Sequence, residues 1–145
     1  MKEAQKAAFA FERFQIVNFA FKDLSSVEED NLTMGFSPSG IYDSENGGFK
    51  MILKFIVGTK NQLQSSEELI NVDLHAYFRF NKKTPLEDIP AYFYRNSIAI
   101  VFPYLRAFIS SLTLQANLKP LILPIMNLSS LEQDFKDATK VVTEP

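Results

Sequence analysis

A chain of 145 residues fits one domain and, at that size, buries roughly two thirds of the surface its unfolded form exposes, so no disulfide or metal staple is required. The lack of any cysteine excludes disulfide frameworks, thiolate zinc sites and cysteine nucleophiles, and fits a reducing cytoplasm. A formal net charge of -2 with scattered lysines and arginines argues against a nucleic-acid binder, and no apolar run approaches the ~20 residues of a membrane span.

The amino terminus, Met1 to Phe14, interrupts its apolar residues with Lys2, Glu3, Lys6, Glu12 and Arg13, so it lacks the apolar centre of a secretory signal and reads as not exported. From Phe14 to Phe21 the pattern is extended, with apolar groups on both faces, until Lys22 to Ser26 breaks it. A second strand, Leu32 to Tyr42, is interrupted by Gly35, Pro38 and Gly40; proline removes a ladder donor, so this strand is expected at an edge, bulged or bent. Glu45-Asn46-Gly47-Gly48 is a tight-turn signal, since asparagine and glycine accept positive φ. Phe49, Met51, Leu53, Phe55 and Val57 alternate with Lys50, Ile52, Lys54 and Ile56 in a third strand. After a polar loop, Thr59 to Glu68, the fourth strand puts Ile70, Val72, Leu74, Ala76, Phe78 and Phe80 on one face, with Asn71, Asp73, His75, Tyr77 and Arg79 on the other. These four strands are expected to form an antiparallel meander.

The second half reads as helices. Pro85 and Pro90 bracket a connector, followed by Ala91 to Tyr94. From Ser97, apolar positions at spacings of three and four through Leu112 make an amphipathic helix; Pro103 kinks it or marks its first turn, and Asn117 suits a left-handed cap. Prolines at 120 and 124 make Leu118 to Met126 an irregular extended apolar segment. Ser129 with Glu132 reads as a capping box opening a last helix, and the tail from Val141 to Pro145 as frayed. Strands first and helices second imply a single α+β domain over 1–145, with a long and a short helix on one face of a four-stranded antiparallel sheet.

Catalytic chemistry finds little support. His75, the one histidine, lies on the polar strand face, and no Gly-x-Ser-x-Gly turn presents a serine to it. Glu28-Glu29-Asp30 lacks the ligand spacing of a calcium loop, and Gly47-Gly48 lacks the rest of a phosphate loop. No catalytic residue, metal site or cofactor is expected, and the chain does not read as an enzyme. What stands out is apolar surplus: 14 phenylalanines, 5 tyrosines, and no tryptophan. Tyr92, Phe93 and Tyr94 cannot all face one way, and Leu121 to Met126 sits on irregular backbone. Such groups serve as oligomer interface, ligand groove or core cover.

Ile100-Val101-Phe102-Pro103-Tyr104-Leu105-Arg106, then Lys119-Pro120-Leu121-Ile122-Leu123-Pro124-Ile125-Met126-Asn127, resemble the helix start and crossover segment of the SecB family of protein-export chaperones; Phe14-Gln15-Ile16 and Lys22-Asp23-Leu24-Ser25 resemble its first strand and turn. The resemblance implies an antiparallel sheet with helices on one face, assembled through the long helices as a dimer of dimers, a homotetramer. It also implies a cytoplasmic holdase that needs no ATP, binds unfolded preproteins in apolar grooves, and hands them to the SecA motor. Leu121, Ile122, Leu123, Ile125 and Met126 would flank the groove, with Tyr77, Phe78, Tyr92 and Phe93 as its other wall; Asp23 and Asp73 would contact the motor. Leu123→Asp is then expected to impair holding while sparing the fold. The chain departs from the family's acidic sheet face, since Asn71, His75, Lys50 and Lys54 dilute it and Ala76-Tyr77-Phe78 replaces a glycine pair. That departure leans towards a SecB-like chaperone devoted to one client, such as an antitoxin. A small-ligand carrier or enzyme on a similar sheet is the remaining reading.

Overall fold

The computed structural model describes residues 1–4 and 8–142. Five strands, β1 (Phe9–Phe21), β2 (Thr33–Tyr42), β3 (Gly48–Gly58), β4 (Ile70–Phe80) and β5 (Thr139–Val141), form one sheet. Three α-helices accompany it: α1 (Lys60–Gln64), α2 (Ala91–Gln115) and α3 (Glu132–Asp137).

The expected four-stranded meander is corrected in two respects. The strand order is β1-β4-β3-β2-β5, so β1 lies beside β4, not β2, and the 22–32 connection passes across the end of the sheet. β5 then adds a fifth strand parallel to β2, which makes the sheet mixed. Three residues were too few to read as a strand, and the tail expected to fray from Val141 is held there: Val142 N–H donates to the Tyr42 carbonyl at 2.8 Å. The remainder of that tail lies outside the described residues.

Local chemistry sets each element. Gly47, at φ 77, closes the β2–β3 turn, and the Asp43 carboxylate accepts the Glu45 and Asn46 N–H groups beside it. Pro38 shares the side of β2 from which Gly40 N–H reaches the Ala138 carbonyl, so its missing donor faces the edge. Gly40 has no substitute: a Cβ there would stand 2.6 Å from Phe49 Cζ and 2.9 Å from Thr139 Oγ1.

β1 begins five residues earlier than its alternation suggests, and its apolar groups do not divide between two faces. Register shifts at Glu12 and Val17 insert one extra residue each. Phe9, Phe11, Phe14, Ile16, Phe19 and Phe21 thereby all stand opposite the core-facing residues of β4, from Phe80 to Ile70.

The helix expected from Ser97 starts at Ala91, capped by extended Pro90, and runs through Pro103. By length and composition α2 would pass for a membrane span, yet Phe93, Ile98, Val101, Leu105 and Ile109 are buried against the sheet. Phe93 is the hub: its ring lies 4.7–4.9 Å from those of Phe9, Phe49 and Phe80. Asn117, at φ 59, ends the helix in a Schellman motif, with Leu118 N–H donating to Thr113 and Asn117 N–H to Leu114. The expected Ser129–Glu132 capping box does not form. Asn127 Oδ1 accepts Ser129 N–H at 3.1 Å and Ser129 Oγ–H at 2.7 Å, while Glu132 faces Arg95 at 3.5 Å.

Candidate functional site

Residues 118–128 cross from the end of α2 to α3 without regular structure. Side chains alternate between two sides from Leu121 to Pro124, and the alternation breaks after that proline. Leu121 and Leu123 point inward and are buried; Ile122 and Ile125 point outward, 62% and 90% exposed. Two hydroxyls of α2 fasten this segment. Thr113 Oγ accepts Leu121 N–H at 2.9 Å while donating back into the helix, and Ser110 Oγ–H reaches the Leu121 carbonyl at 3.3 Å.

The crossover is thus a ridge with a cleft on either side. The first, about 390 Å³, lies between it and the 22–32 connection, walled by Phe21, Leu24, Val27, Leu32, Leu118 and Pro120. Its rim is mostly acidic, with Asp23, Glu28 and Glu29; Lys119 and Glu29 reach across it at 3.8 Å, both well exposed. Ser25 donates to Asp23 from its hydroxyl at 2.7 Å and its backbone at 3.0 Å, which holds that carboxyl below its ordinary pKa. The second cleft, about 410 Å³, lies between the crossover and α2, walled by Phe102, Pro103, Ile125, Met126 and Leu128, with Arg95 and Arg106 at its rim. Both are open and apolar, and neither brings together the convergent polar groups of a small-molecule site.

The residues expected to form the groove scatter. Ile125 and Met126 line the second cleft and Leu121 closes the inner end of the first, while Ile122, exposed between them in the chain, lines neither. Leu123, Phe78 and Phe93 have no exposed surface and belong to the core. Tyr77 stands on the far face of the sheet, its ring 3.9 Å under the Arg13 guanidinium. Tyr92 is exposed on the first turn of α2 and lines neither cleft. The second wall is therefore built by residues the sequence reading passed over: Leu24, Val27 and Leu32 on one side, Phe102 and Pro103 on the other. Three apolar residues within an otherwise polar connection were the available signal. Asp23 lines the first cleft, whereas Asp73 is on the outer sheet face, accepting from Asn18 at 3.3 Å and paired in register with Lys54. His75 is half-buried on that face; burial first, then Lys50, lowers its pKa against the opposing pull of Asp73. Among the described residues no group of three carboxylates and histidines could hold a metal ion.

No family model matches the sequence. An uncharacterised protein of Methanocaldococcus jannaschii is 26% identical over 148 residues, spanning 99% of this chain and 95% of that protein. A solved SecB-like chaperone of Mycobacterium tuberculosis, in complex with a ChAD peptide from an antitoxin, superposes with a TM-score of 0.60. The alignment covers 82% of this chain and 91% of that one, at 17% identity. The chain has a SecB-like fold. Within it, the crossover and the two clefts beside it leave apolar surface exposed on the helix side, as do Tyr92, Tyr104 and Leu114 of α2.

Proposed function

We propose that this protein is a holdase chaperone that binds apolar segments of unfolded polypeptides, without ATP, in the clefts flanking residues 118–128. The observation that carries this reading is the Ile122–Ile125 ridge, exposed between two open apolar clefts. Burial of apolar side chains contributes about 25 cal/mol per Å² without regard to direction, which suits clients of many sequences. Extended clients would lay alternate side chains into the two clefts, on either side of the ridge. The likeness to a SecB-like chaperone supports the same role.

Of the two client ranges, a dedicated client is favoured over general export of preproteins. The outer sheet face sets Lys50 and Lys54 around Asp73, so it offers no acidic surface for a SecA-type motor, and the structural neighbour was solved with an antitoxin peptide. A homo-oligomer, a dimer of dimers in the cytoplasm, would cover the uncharged outward side of α2, where Tyr104, Ala107, Ser111 and Leu114 are exposed.

Aggregation of a thermally unfolding client, with and without the protein and without nucleotide, tests the proposal, with assembly mass read by light scattering. Suppression that is lost in Ile122→Asp supports it; no suppression of any client, including candidate partners encoded beside the gene, would sink it.

A further inference from the structure

The outer face of the sheet has no helix over it and is charged unlike the rest of the molecule. Opposed residues in register put Arg13, Tyr77, Lys50, Ile41 and Lys140 in a single row across β1, β4, β3, β2 and β5. Cations thus occupy the first, third and fifth places, and apolar groups the second and fourth. Lys54 stands two rows away, beyond Ile52, and Arg79 one row away on the other side. Against these five of the chain's fifteen lysines and arginines, the strands of this face carry two carboxylates, Asp73 and Glu12, among the described residues. Glu12 is taken by Arg79 at 3.5 Å. Among the described residues Arg13, Lys50, Lys54 and Lys140 have no carboxylate within ion-pair distance. Asp43 and Glu68, at the two ends of the face, are engaged with the turn amides and with Asn71.

We infer that this face docks an acidic polypeptide segment, extended across the strands, with a carboxylate at about every third residue. Neighbouring strands lie about 4.8 Å apart, so alternate places in the row are roughly 10 Å apart; three residues of chain in the extended polyproline-II form, at about 3.1 Å each, span nearly the same distance and return to the same side. Between its carboxylates such a segment presents side chains to Tyr77 and Ile41, which a phosphate backbone does not. The carboxylate excess elsewhere on the chain also repels a long polyanion. This surface is separate from the clefts, and its occupant is of opposite charge to anything the acidic rim of the first cleft favours.

The test is fluorescence anisotropy with a labelled extended peptide carrying Glu at every third position and Leu and Ser between. A counterpart with Lys in place of Glu, and single-stranded oligothymidylate, serve as competitors. At low salt the Glu peptide binds, Lys50→Glu weakens it about tenfold or more, and Lys136→Glu, on α3, leaves it unchanged. Lys50→Gln, which only removes the charge, gives a smaller loss in the same direction and keeps the test open should the reversal disturb folding. Equal binding by Lys50→Gln and the native chain, or by the Lys peptide, overturns the inference. Tighter binding of oligothymidylate than of the Glu peptide assigns the row to nucleic acid and overturns it as well.

Discussion

Thr113, buried within α2, accepts the Leu121 N–H at 2.9 Å and so ties the crossover to the helix eight residues behind it. One hydroxyl bonds in two directions here, because its own proton goes to the Ile109 carbonyl at 3.0 Å. Thr113→Val keeps the shape and removes both. A buried N–H without an acceptor costs about 1–3 kcal/mol. The variant is expected to melt several degrees lower, and the Leu121 amide to lose much of its protection against hydrogen exchange. An unchanged Leu121 exchange rate would show that the crossover is held by its apolar contacts instead.

Ile122 and Leu123 are neighbours with opposite fates. Ile122→Asp places a carboxylate in water and should leave the melting curve within about 0.5 kcal/mol of the native one while reducing client holding. Leu123→Asp buries the charge and should unfold the chain, since the native side chain is fully enclosed. The expectation that Leu123→Asp spares the fold is thereby replaced. Denaturant titration beside the aggregation assay separates the two; a stable Leu123→Asp protein would contradict the packing.

Phe93→Ala removes the ring around which Phe9, Phe49 and Phe80 pack edge-on. A loss of about 3–5 kcal/mol is expected from urea unfolding, enough to leave a marginal domain largely unfolded at body temperature. Tyr92→Ala, one residue away and exposed, should cost little.

His75 should titrate below its ordinary value in a proton NMR pH series, because burial and the Lys50 ammonium both disfavour its charged form. Lys50→Gln removes one of those causes and should raise the midpoint. The sign for stability follows. The unfolded chain takes up the proton first as pH falls below about 6.5, so the contribution is complete above that pH and is lost as pH falls towards the folded midpoint. A midpoint above the ordinary value would mean that Asp73 outweighs burial and Lys50 together.

Much of the fold was legible because period-two alternation reports burial directly. Ile70 to Phe80 was read with its boundaries intact, and its core side chains are the buried ones. Strand order was not legible: β1 pairs with β4 between residues as far apart as Phe9 and Phe80, and no local pattern encodes which neighbour a strand takes. The bulges at Glu12 and Val17 shifted the period by one twice, which made a one-sided strand look two-sided. Pro103 suggested a late helix start, although Pro90 was the better signal, being extended and directly before the first turn. At the candidate site the segment 121–126 was legible from its prolines. Which of its residues face outward was not, since that depends on hydroxyls of Thr113 and Ser110 that belong to another element.

The short β5 gives the sheet one blunted border and one open one. Along β2 the backbone is occupied from Gly40 to Tyr42, and the next edge position carries Pro38, which has no N–H to offer. Along the thirteen residues of β1 the backbone groups on the side away from β4 have no strand to pair with among the described residues. Among the described residues the longest open edge is therefore β1, and a two-fold pairing of β1 with the same strand of a second copy consumes it in one step, while β2 keeps only Thr33 to Ser37 open. Three residues, the last of them Val141, where the sequence suggests a loose tail begins, thus shorten the edge at which a fibre could grow.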